Sequence, residues 1–95
     1  MTVYRNCTME MFDAEGQWDL PCQVRISDGT IAVSYKLDGA IVVYEGRETE
    51  PGHFRLSSDA ANGRATLHRF SNDEVLYGWW LEDGHEGMWR VTLDE

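Results

Sequence analysis

Four dipeptides, Asp28-Gly29, Asp38-Gly39, Asn62-Gly63 and Asp83-Gly84, limit what this chain can fold into more than any other feature. A two-residue type I′ turn needs positive φ at both central positions, and Asp or Asn followed by Gly meets that need with least strain. Each dipeptide therefore predicts a tight β-hairpin. Gly16, Gly46, Pro51-Gly52 and Ser71-Asn72-Asp73 punctuate the remaining intervals. Strands are predicted over residues 3–12, 18–27, 30–37, 40–46, 53–58, 64–70, 75–82 and 87–93, at the spacing of sandwiches and barrels. No segment shows the apolar stripe of a helix. The 95 residues suffice for a single domain, residues 1–95, with one core and no linker.

The turns also set registers. A two-residue turn at Asp28-Gly29 puts Ile26 against Ile31, Val24 against Val33, Cys22 against Tyr35 and Leu20 against Leu37. Through Asp38-Gly39 the same face continues with Tyr35 opposite Val42 and Val33 opposite Tyr44, while Arg25, Ser34 and Lys36 take the other face. A loop over Asp13 to Gly16 adds Met11 opposite Trp18, Met9 opposite Leu20 and Cys7 opposite Cys22, with Val3 near Ile26. The turn at Asp83-Gly84 sets Gly78 opposite Trp89, a glycine beneath a facing tryptophan as in aromatic rescue. In the fifth and sixth strands Phe54, Leu56, Ala65 and Leu67 share one side, and His53, Arg55, Thr66, His68 and Phe70 the other. Turn chemistry and binary pattern agree. An all-β, eight-stranded antiparallel up-and-down meander barrel is expected in preference to a sandwich, because closure leaves no open edge.

All four tryptophans lie in three Gly-x-Trp triplets, Gly16-Gln17-Trp18, Gly78-Trp79-Trp80 and Gly87-Met88-Trp89. Eight meandering strands carrying such triplets resemble the calycin-type up-and-down barrels, meaning lipocalins, fatty-acid-binding proteins and avidins. The likeness is closest to the short streptavidin-like barrels of small bacterial proteins. It is one of pattern, covers nearly the whole chain, and implies a barrel whose mouth holds a small apolar or amphipathic molecule. No set of polar residues matches an avidin's biotin contacts, so biotin binding is not implied.

Eight basic and 17 acidic residues give a net charge of −9, which repels nucleic-acid phosphates and anionic membranes unless a compact basic patch opposes it. Arg5, Arg25, Lys36, Arg47, Arg55, Arg64, Arg69 and Arg90 are spread along the chain, and no such patch is legible. Neither nucleic acid nor membrane is an expected partner. No basic, apolar leader and no apolar run near the roughly 20 residues of a membrane helix is found, so the cytoplasm is the expected location. Cys7 and Cys22 lack metal-ligand spacing and read as buried, reduced thiols. His53, His68 and His85 show no i, i+2 or i, i+4 pairing, and neither metal nor cofactor is expected. No nucleophile elbow, P-loop or Cys-His-Asn order occurs, so an enzyme is not expected.

The lumen of an eight-stranded barrel is either filled by side chains or holds one small ligand. In the binding reading, Trp80, Trp89, Tyr35 and Tyr44 line a pocket at one mouth, with tyrosine hydroxyls and indole N–H groups as polar anchors. In the structural reading the same groups satisfy one another at the barrel end. The expected function is non-catalytic binding of a small apolar or aromatic molecule. The alternative is a filled barrel acting as a homodimer or protein-interaction module through its outer wall. There the register leaves Ile41 and Val43 beside Ala32, and Tyr77, Trp79, Leu81 and Met88 on the last hairpin.

Overall fold

The computed structural model describes residues 2–95. It contains β1 (Thr2–Asp13), β2 (Gly16–Ser27), β3 (Thr30–Leu37), β4 (Ala40–Glu50), β5 (His53–Ser58), β6 (Gly63–His68), β7 (Val75–Glu82) and β8 (His85–Thr92). Each strand pairs with the next and β8 pairs with β1, so the sheet closes into an up-and-down barrel. The expected fold class is thus the observed one. Three hairpins turn as expected, with positive φ at Asp28 and Gly29, Asp38 and Gly39, and Asp83 and Gly84.

Asn62-Gly63 is different. Gly63 already belongs to β6 and pairs with Ser58, so residues 59–62 form a four-residue connection in which Asn62 alone of the dipeptide has positive φ. The constraint on Gly63 is space, since a Cβ there would overlap the Tyr44 hydroxyl. At the first hairpin Asp13 pairs with Gly16 directly, leaving Ala14-Glu15 as the turn, and the predicted Met11–Trp18, Met9–Leu20 and Cys7–Cys22 pairs form. Val3 meets Arg25 instead of Ile26, because a bulge between Tyr4 and Cys7 shifts the register by one residue. A second bulge between Glu48 and Glu50 lets β4 run past its expected end at residue 46. Strand β6 stops at His68, so Phe70 lies in the connection to β7, 79 % exposed.

Alternation along the strands fills the lumen with Cys7, Met9 and Met11 from β1, Cys22 and Val24 from β2, Ile31, Val33 and Tyr35 from β3 and Tyr44 from β4. The second half adds Phe54, Leu56, Ala65, Leu67, Leu76, Trp80, Trp89 and Val91. Met9, Val33, Tyr44, Leu67, Leu76 and Val91 are 0 % exposed, so no water-sized void touches them and the middle of the barrel is solid. One end of the barrel carries the turns at 14–15, 38–39, 59–62 and 83–84, and is called the hairpin end below. The other carries both chain termini and the 69–74 connection, tied down by Arg69 N–H to Gly52 O (2.8 Å) and Leu93 N–H to Glu74 O (2.7 Å).

Glycines admit the close approaches that closure demands. A Cβ on Gly78 would overlap the carbonyl oxygen of Thr66 on β6, and one on Gly87 would overlap the Phe12 carbonyl oxygen and crowd the Trp80 ring. The ring-over-glycine arrangement therefore belongs to Trp80 and Gly87, which are direct cross-strand partners. Gly78 does pair with Trp89 as expected, but what it accommodates is the neighbouring strand.

Candidate functional site

The polar groups that converge inside the barrel lie at the hairpin end. Tyr44 donates its hydroxyl to Glu82 Oε1, and Tyr35 donates to the same oxygen at 3.3 Å. Both tyrosines are buried, whereas Glu82 is half-buried, so its carboxylate lies between the packed core and solvent. Burial first, and the adjoining Glu82 carboxylate second, raise both hydroxyls above the ordinary tyrosine value. They are donors and not bases over the ordinary pH range.

Glu82 is the member of this cluster that sequence reasoning did not single out, although it ends the predicted strand 75–82. Its signal was the two-residue alternation itself: Gly78, Trp80 and Glu82 share a face, so a lumen-facing Trp80 implies a lumen-facing Glu82. On the open side of the cluster, β2 parts from β3. Their ladder ends at the Cys22–Tyr35 pair, and the next residue, Pro21, has no N–H to continue it. Leu20 and Leu37 consequently do not pair, and Trp18 and Leu37 stay 36 % and 38 % exposed at the rim.

The four residues expected to line a pocket are brought together. Tyr44 and Trp89 meet edge to face with ring centroids 5.5 Å apart. The indoles are not free anchors: Trp80 Nε1 donates to Met88 O (3.1 Å) and Trp89 Nε1 to Thr66 O (3.0 Å). Tyr44 and Trp89 sit in the solid middle, while Tyr35 and Trp80 lie nearer the mouth. Replacing Glu82 by alanine should leave the Tyr44 hydroxyl buried without an acceptor. We expect a loss of about 1–3 kcal/mol by urea denaturation, with Glu82→Gln, which retains an acceptor oxygen, nearer the parent; equal losses would show that the acceptor is irrelevant.

On the outer wall Ile41 is 64 %, Met88 54 % and Tyr77 45 % exposed. Val43 and Trp79 are half-buried, and Trp79 Nε1 donates to Glu86 Oε2 at 3.2 Å. His53 and His68, expected on the same side of the fifth and sixth strands, meet directly. Cross-strand pairing of β5 with β6 sets His53 against His68, Nδ1 to Nδ1 2.7 Å, a hydrogen bond that needs one protonated and one bare nitrogen. Among the described residues no group of three or more His, Cys, Asp or Glu is placed to hold a metal ion.

Cys7 and Cys22 face each other as buried free thiols. Burial, and for Cys22 the adjacent Cys7, raises both above the ordinary value, Cys22 up to about 12. Among the described residues no helix is long and apolar enough to cross a membrane. No protein-family description, no curated protein and no solved structure matches this chain.

Proposed function

We propose that this barrel is a non-catalytic protein-interaction module that works through its outer wall, with a second copy of the chain seated on the β7–β8 face. One contrast carries the reading. The inner face is packed to 0 % exposure at its centre, while Tyr77 and Met88 lie exposed beside Trp79 on an outer face. Scattered apolar residues need no partner, but large neighbouring ones on one sheet face do. A standard interface buries about 800 Å² per partner, roughly an eighth of the 6144 Å² surface, which one wall of the barrel can supply. The β1–β4 wall is a poorer face for self-pairing, because Arg5, Arg25, Lys36 and Arg47 project from it and two copies would repel.

Native mass spectrometry and concentration-dependent light scattering test the dimer. Trp79→Glu should convert it to a monomer, with Ile41→Glu and Val43→Glu leaving its mass unchanged. A parent protein that is monomeric at high concentration sinks the reading.

A second reading, a small apolar or aromatic ligand at the hairpin-end mouth, is favoured by the Tyr35–Glu82–Tyr44 cluster beneath the half-exposed Trp18 and Leu37. The strand order and Gly-x-Trp triplets support it further as a short relative of the calycin-type, streptavidin-like barrels. It calls for retained extra mass in the native spectrum that disappears in Trp80→Ala.

A further inference from the structure

We propose that the outer wall of β1–β4 binds an extended acidic segment of a partner protein. This rests on the reading of the barrel as an interaction module but uses a different wall from the dimer. The registers align outward residues in three rows across β2–β4, Ser27, Thr30 and Arg47; Arg25, Ala32 and Glu45; Gln23, Ser34 and Val43, and a fourth row across β3–β4 alone, Lys36 and Ile41, beside which β2 has parted at Pro21. Thr30, Ala32 and Ser34 on β3 form the floor, with Gln23 and Arg25 on β2 and Val43, Glu45 and Arg47 on β4 as the banks.

Three shallow cavities follow this trough. One of about 310 Å³ is lined by Arg5, Pro21, Lys36 and Ile41. One of about 240 Å³ lies between Val3, Arg25, Val43 and Glu45 and shares Gln23 and Ser34 with the first. One of about 420 Å³ adds Arg47 and shares Arg25, Ala32 and Glu45 with the second. Four rows at two residues per row span roughly 20 Å, the reach of about six extended residues.

Charge identifies the occupant. Arg5, Arg25, Lys36 and Arg47 are exposed around the trough, against the single acid Glu45. The ion pair found among the described residues, Arg90 with Glu10, involves none of them. A chain of net charge −9 thus carries unpaired cations side by side on one wall, while acids such as Asp13, Glu15, Asp38, Asp59 and Asp83 crowd the hairpin end. Carboxylates of an incoming segment would meet the arginine forks, and its apolar side chains would cover Val3, Ala32, Val43 and Ile41. Nucleic acid fits less well. The trough presents no exposed aromatic ring for bases to stack on, and the acidic barrel ends would repel a longer polyphosphate.

The test uses a fluorescein-labelled decapeptide of alternating Glu and Val, read by anisotropy against the full chain at 50 and 300 mM salt (about a 2.4-fold change in screening length). Binding is expected at low salt, weakened at high salt. It should fall at least tenfold in Arg25→Glu and Arg47→Glu and change less than twofold in Arg64→Glu, which lies off the trough; circular dichroism checks that each variant is folded. Absence of binding at 50 mM salt overturns the proposal, as does equal loss in Arg64→Glu. Tighter Arg25-dependent binding of a ten-nucleotide thymidine strand would assign the trough to nucleic acid and overturn it too. The mass of the same samples separates the two readings, because a Trp79-dependent dimer that ignores the peptide leaves the interaction module standing and removes only this partner.

Discussion

Alanine at Gly78 is expected to destabilise the barrel by about 3 kcal/mol, lowering the thermal midpoint by roughly 12–24 °C in a domain of this size. The added Cβ would overlap the Thr66 carbonyl oxygen and lie 3.0 Å from Leu67 Cα. Neither strand can easily withdraw, since β6 is held on its other side by β5 and β7 by β8. The same Thr66 oxygen accepts the indole N–H of Trp89, which is 1 % exposed. Moving β6 aside therefore breaks a buried hydrogen bond as well as a strand contact. Urea denaturation followed by tryptophan fluorescence measures the loss. Gly39→Ala is the control, because φ there is 81° but nothing lies within 4 Å of the new Cβ. That position should lose about 1–2 kcal/mol through backbone strain alone, and equal losses at the two sites would refute the close-approach explanation.

Alkaline pH should unfold this protein early. Four buried groups, Cys7, Cys22, Tyr35 and Tyr44, have folded-state values raised above their ordinary 9.0 and 10.0. Below pH 9 both folded and unfolded chains keep these protons, and stability is unaffected. Above it the unfolded chain releases protons that the folded one retains, so stability falls by about 1.4 kcal/mol per pH unit for each group in its window. The thiols act first, from pH 9 toward the Cys22 value of about 12, and the tyrosines add to the slope above pH 10. By pH 11 the combined loss reaches several kcal/mol, a large part of the 5–15 kcal/mol typical of a small domain. Thermal midpoints measured from pH 8 to 11.5 should drop steeply above 10, and the Tyr35→Phe, Tyr44→Phe pair should flatten that drop. A midpoint that holds level through pH 11 would show that the hydroxyls are not buried as described.

Expectations succeeded where short-range chemistry decides the outcome. A turn such as Asp28-Gly29 fixes a register within two residues of itself, and alternation then carries each side chain to its face without further information. This is why the Cys22–Tyr35, Val33–Tyr44 and Gly78–Trp89 pairs were legible. Asn62-Gly63 fooled the same logic, because the need it serves is clearance for Tyr44, a residue 19 positions away. The bulge at Arg5 and Asn6 was equally invisible, since nothing local distinguishes an extra residue that helps the strand bend around the barrel.

The candidate site divides along the same line. Tyr35, Tyr44, Trp80 and Trp89 could be placed on the inner face by alternation, and Glu82 was within reach of the same rule. That the indole protons are taken up by Met88 and Thr66, and that both tyrosine hydroxyls end on one carboxylate, depends on strands meeting around the barrel. The sequence by itself determined the eight strands, their order and the side each residue faces, because turn preferences and two-residue periodicity act over a few residues. Tertiary structure alone decided that the ring nitrogens of His53 and His68 meet, that the Tyr35 and Tyr44 hydroxyls share Glu82, and that Arg5 and Arg47, 42 positions apart, join Arg25 and Lys36 on one wall. Those are relations across strands, set by closure and register, and no property of a residue's neighbours in the chain encodes them.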